Sequence, residues 1–84
     1  MTKTTTVYKD PRATELCNEI RYVYNINPKD GWIARPHHTN KEIRIGHPLY
    51  GEDQGITAEV DALYHTIEHL GLAEAIGYAV VVVK

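Results

Sequence analysis

The run Tyr78-Ala79-Val80-Val81-Val82-Val83 constrains this chain more than any other stretch. β-Branched side chains favour extended backbone, and both alternating sets are apolar: Tyr78, Val80 and Val82 on one side, Ala79, Val81 and Val83 on the other. A strand apolar on both faces expects cover on both. The 84 residues form a single expected domain (1–84) with a modest core, a size at which disulfides, metals or self-association often add stability. Only one cysteine is present, so an internal disulfide is impossible, and Cys17 reads as a small core residue in a reducing compartment. No apolar run is long enough to span a bilayer, and Met1 to Thr6 lacks an apolar signal region, so the expected location is the cytoplasm, with no membrane partner.

The formal charge of −2 gives no general attraction to nucleic acid, which is not an expected partner. Its distribution says more. Residues 1–48 hold eight Lys/Arg against five Asp/Glu, and residues 49–84 hold Lys84 against six acids. Such asymmetry suits a charged patch or a head-to-tail contact.

Ahead of the valine run, Thr4 to Tyr8 is rich in β-formers and predicts a first strand, stopped by Asp10-Pro11, a helix cap followed by proline. Ala13, Leu16, Cys17, Ile20, Val23 and Tyr24 then recur at helical spacing. Asn27-Pro28-Lys29-Asp30-Gly31 reads as a turn. Trp32 to Arg35 and Lys41 to Gly46 predict a hairpin around Pro36-His37-His38-Thr39-Asn40, with Ile43 and Ile45 on one face and Glu42 and Arg44 on the other. Pro36 belongs at a strand end or on an edge. A long connection, His47 to Gly55, precedes a helix capped by Thr57, whose inward stripe is Val60, Leu63, Tyr64, Ile67 and Leu70. Gly71 ends it with the spacing of a Schellman stop, pairing Leu72 with Ile67.

The order β-α-β-β-α-β is the split-βαβ, ferredoxin-like pattern: an α+β fold in which two helices cover one face of a four-stranded antiparallel sheet. There the last strand would be an edge, although here it is the most apolar. Either the strand order differs, or another subunit covers the C-terminal strand or the open sheet face; a homo-oligomer is the simpler expectation.

Two constellations carry candidate chemistry. His65-Thr66-Ile67-Glu68-His69 matches HxxEH literally, the inverzincin signature, in which two histidines one turn apart hold zinc and the glutamate acts as base. Here the motif falls on the polar face of its helix with no third ligand in view, so a zinc or other divalent metal site at His65, Glu68 and His69 is a secondary reading. Ala58 and Ala62 on the same face would also let another subunit approach closely.

The stronger constellation is basic. Arg35, His37, His38, Lys41, Arg44 and His47 gather on the hairpin and its exit, where arginine offers planar bidentate contacts to phosphate or carboxylate and histidine a pH-dependent charge. Trp32 and Tyr50 are aromatics available for stacking. His37-His38-Thr39 forms an HxT pair, but phosphodiesterases that use it need two, and His65-Thr66 lacks the intervening residue. There is no glycine-rich phosphate loop, no nucleophile elbow, no CxxC pair, and no aromatic in Lys41 to Gly46 of the kind an RNA-recognition sheet needs.

The expectation is therefore a non-enzymatic, homo-oligomeric binding protein. It engages a small anionic ligand, nucleotide-like ones included, through Arg35, His37, His38, Lys41, Arg44 and Tyr50, with no cofactor. An alternative is a protein-interaction or inhibitor module, such as a small phage-type antagonist of host defence, docking a host protein through its acidic second half.

Overall fold

Asp10 starts the first helix. In the computed structural model, which describes residues 8–84, its carboxylate accepts the Arg12 N–H at 2.9 Å, and Pro11 takes the first helical position. Helix α1 accordingly spans Pro11–Val23 and buries Ala13, Leu16, Cys17 and Ile20. Val23 and Tyr24, expected on the same stripe, are exposed instead. They fall at its end: Val23 is the last helical residue, Tyr24 caps the helix, and Asn25 takes a left-handed φ of 53° that turns the chain away. The expected strand Thr4 to Tyr8 lies outside the described residues except for Tyr8, which is exposed.

After a 3-10 turn at Pro28–Asp30, β1 (Ile33–His37) and β2 (Glu42–Gly46) form the expected hairpin. Its connection is shorter than the sequence suggested: Pro36 and His37 belong to β1, and the turn occupies residues 38–41, with Lys41 at a left-handed φ of 52°. Pro36 is tolerated because β1 is an edge of the sheet among the described residues.

Helix α2 spans Gln54–His69 and begins before Thr57. Asp53 is the cap, accepting the Ile56 N–H at 3.0 Å, while Thr57 Oγ1 accepts the Gly51 N–H at 2.8 Å and ties the preceding loop to the first turn. At the other end Gly71 has φ 64°, its N–H donates to Glu68 O at 3.0 Å, and the Leu72 N–H donates to Ile67 O at 3.2 Å. These are the two bonds of the expected Schellman stop.

The apolar run forms β3 (Ala79–Val83), and its pairing corrects the antiparallel expectation. Among the described residues the sheet is three-stranded and mixed, in the order β1-β2-β3, with β2 and β3 parallel. Direct parallel pairing of sequence-successive strands needs a long crossover, which α2 supplies. The last strand thus lies directly beside β2, whereas the ferredoxin-like order would insert the first strand between them.

Ala34, Ile43 and Ile45 share one core cluster with Ala13, Leu16, Cys17 and Ile20 of α1 and Leu63 and Ile67 of α2, and Val80 and Val82 pack against it. Both helices therefore cover the same sheet face. One close approach holds the far end of the sheet together. A side-chain carbon placed on Gly46 would lie 1.7 Å from the Val83 carbonyl oxygen, so only glycine admits β3 at this distance. No helix among the described residues is long and apolar enough to cross a membrane.

Candidate functional site

Strand alternation sends the other half of the sheet residues to the helix-free face. The register builds three layers there: His37, Glu42 and Ala79; Arg35, Arg44 and Val81; Ile33, Gly46 and Val83. The sequence boundaries would have put Arg35 at the end of its strand, opposite Lys41. The longer β1 moves it directly opposite Arg44.

This face carries a cavity of about 360 Å³ lined by Ile33, Arg35, Pro36, His37, Arg44, Val83 and Lys84. One oxygen of Glu42 accepts from Arg44 Nε at 3.1 Å and from Nη2 at 3.0 Å, so Arg44 is neutralised along one edge of its guanidinium. Arg35 has no ion pair among the described residues. His37 Nδ1 accepts the Asn40 N–H at 3.3 Å, which leaves Nε2 as the second polar atom of the ring.

Of the six residues expected to bind the ligand, Arg35, His37 and Arg44 meet at this cavity. The other three do not. His38 turns to Tyr78, with Nδ1 2.9 Å from the phenolic oxygen and the rings edge to face. Burial, with Asp10 nearby, pushes the Tyr78 phenol above its ordinary value. Asp10 is itself buried and held below the usual carboxylate range by its hydrogen bond to Arg12. Lys41 is exposed on the hairpin turn. Tyr50 donates to Asp61 Oδ1 at 2.7 Å, which fixes it on α2 and raises its own pKa.

His47, grouped with the basic cluster from sequence, is a structural pin. Its Nδ1 accepts the Leu49 N–H at 3.0 Å, so Nε2 carries the proton and donates to Asp30 O at 2.8 Å. Trp32 packs edge-on against the same ring at 5.0 Å.

Sequence reasoning missed Lys84 and the role of Glu42. The signal for Glu42 was present: it alternates with Ile43 onto the same face as Arg44. Lys84 enters because Val83 pairs with Gly46, a register that long-range parallel pairing alone decides.

His65, Glu68 and His69 are all exposed on α2. His65 lies edge-on to Tyr64 at 5.7 Å, and the Glu68 carboxylate beside the Tyr64 hydroxyl raises the phenol's pKa. Glu68 also lines a second cavity, of about 330 Å³, with Tyr64, Glu74 and Tyr78. Among the described residues no group of three or more His, Cys, Asp or Glu side chains is placed to hold a metal ion.

Comparison with protein-family models, curated proteins and solved structures found no match to this chain.

Proposed function

We propose that this chain is a non-enzymatic binding protein that holds a small anionic ligand on the open face of its sheet, as a homo-oligomer in the cytoplasm. The observation that carries the reading is the pairing of Arg35 directly opposite Arg44. Like charges at directly opposed positions of an antiparallel pair destabilise it, by about 0.2–1 kcal/mol, and Glu42 compensates only one of the two. An anion bridging both guanidinium groups turns that repulsion into charge-assisted hydrogen bonds. His37 and Lys84 at the same cavity add two further donors. Trp32 and Tyr50 are engaged elsewhere, which favours an anionic group over an aromatic base as the part recognised.

Self-association rests on β3 outside the cavity. Val81 is half-buried on the open face, and the outer edge of β3 has no neighbouring strand among the described residues. A second copy covering the edge of β3 leaves the arginine pair accessible.

The test is a thermal-shift series with inorganic phosphate, nucleotides and small carboxylates at constant ionic strength, since a ligand that binds only the folded state raises the melting point. Arg35→Ala should abolish the shift while leaving the free protein as stable as the parent, or slightly more stable. No shift with any anion, at concentrations up to tens of millimolar, removes the reading. Sedimentation across a concentration series tests the oligomer.

One observation favours an interaction module, though at another surface than the acidic second half: Tyr22, Val23 and Tyr24 at the end of α1 are 87, 66 and 42% exposed, an apolar run of the kind that marks protein contacts. Tyr22→Ser with Val23→Ser would leave anion binding intact and abolish capture of a protein partner.

A further inference from the structure

We infer that the ligand of this site is a singly charged carboxylate carrying a short apolar body, and that Glu42 sets this selectivity. The inference rests on the anion-binding reading and names the class of anion.

Two features of the cavity support it. Beside the Arg35–Arg44 layer lies the Ile33–Gly46–Val83 layer, so the donors adjoin two apolar side chains on the same face. Gly46 does not line the cavity, because the backbone of Val83 fills the place its side chain would take, and the apolar walls are Ile33, Pro36 and Val83. An inorganic phosphate has nothing to offer those walls. A branched-chain carboxylate places its head on the arginines and its body against these walls.

The second feature is charge. One oxygen of Glu42 bridges Nε and Nη2 of Arg44, leaving Nη1 outside that contact. The pair is partly withdrawn from water, with Arg44 32% and Glu42 24% exposed, so the carboxylate is felt strongly by anything bound next to it. Glu42 therefore orients Arg44 while halving the charge of the arginine pair. A dianion seated on the arginines meets its repulsion directly, whereas a monoanion is matched by Arg35, which has no ion pair among the described residues; Lys84 is exposed at the rim, where water and salt screen its charge.

The experiment is chemical-shift titration of the full chain with acetate, isovalerate and inorganic phosphate, following Arg35 and Arg44 side-chain and backbone signals at fixed ionic strength and about pH 8, where phosphate is mostly the dianion. Burial of apolar carbon tightens binding by about fourfold per methylene, so isovalerate should bind at least about tenfold tighter than acetate. Phosphate should bind more weakly than isovalerate. Glu42→Gln keeps an oxygen acceptor for Arg44 and should tighten phosphate severalfold more than it tightens isovalerate. Val83→Ala should weaken isovalerate and leave acetate unchanged, which checks the apolar wall in a variant that keeps all the charges. Equal affinity for acetate and isovalerate, or phosphate as the tightest ligand of the parent chain with Glu42→Gln indifferent, overturns the inference and leaves anion binding standing. Absence of any shift at Arg35 and Arg44 with all three overturns both.

Discussion

Replacing Gly46 with alanine is the sharpest test of how the sheet closes. The added carbon would lie 1.7 Å from the Val83 carbonyl oxygen, 2.7 Å from its carbon and 3.1 Å from its nitrogen, all backbone atoms that no rotamer change can move. Overpacking of this kind costs about 1–3 kcal/mol when the surroundings absorb it. The alternative is for the end of β3 to peel away. That forfeits about 1 kcal/mol of net hydrogen bonding and roughly another 1 kcal/mol of burial, since Val83 is only half-buried. The chain takes the cheaper route, so Gly46→Ala should destabilise by about 2 kcal/mol. A domain of this size has about 4–12 kcal/mol in total, and the melting point should fall by roughly 8–16 °C. Denaturant unfolding gives the free energy, and amide exchange should show faster opening at Val81 to Val83 with the rest of the sheet still protected. A double-mutant cycle identifies the cause: in a chain ending at Val82 the clash is absent, and the same substitution should cost less than about 0.5 kcal/mol. An equal cost in both backgrounds, or no cost in the full chain, would refute the close-approach argument.

Gly71→Ala should cost about 1 kcal/mol in denaturant unfolding, because its φ of 64° is left-handed while a side-chain carbon there meets nothing within 4 Å. Acid should unfold the protein partly through Asp10. Its folded pKa lies below the ordinary 3.8 through the Arg12 hydrogen bond, so the unfolded chain binds the proton more readily. The resulting stability is present above the unfolded value and is lost as pH falls through the folded one, and Asp10→Asn should flatten that limb of a stability-against-pH curve below about pH 4. Cys17 is fully buried and its thiol is pushed up to about 11, so thiol reagents at pH 8 should label it only at the rate at which the domain opens.

Local chemistry made several of these elements legible. Asp10-Pro11 located the start of α1, the 67–72 spacing around Gly71 gave the Schellman stop, and the alternation of Ile43 and Ile45 gave the buried face of β2. The misplaced features were those decided at a distance. Thr57 was a sound cap by residue type, but Asp53 won because its carboxylate reaches the Ile56 N–H and the loop uses Thr57 instead. The arginine pair was visible as two basic residues on one hairpin. Its opposition was hidden, because Pro36 and His37 read as loop and extended β1 only through pairing with β2. The direction of the last strand is likewise a property of the crossover, and it fixed which residues share the cavity. His38 and Tyr50 were drawn away by Tyr78 and Asp61, partners far off in sequence that no local pattern reveals.

The parallel pairing of β2 with β3 also sets an order of events. The hairpin closes over a four-residue turn, whereas Ile43 meets Val80 only after the whole of α2 has been laid down between them, a closure that costs more chain entropy and slows folding. The two arginines should thus be brought face to face early, in a hairpin that still lacks Val83 and Lys84. Those residues arrive in the last step and, by the same logic, are among the first to leave when the native state opens locally. A ligand that spans the arginines and Val83 would link the early half of the fold to the late one, and its clearest signature would be slower amide exchange along β3.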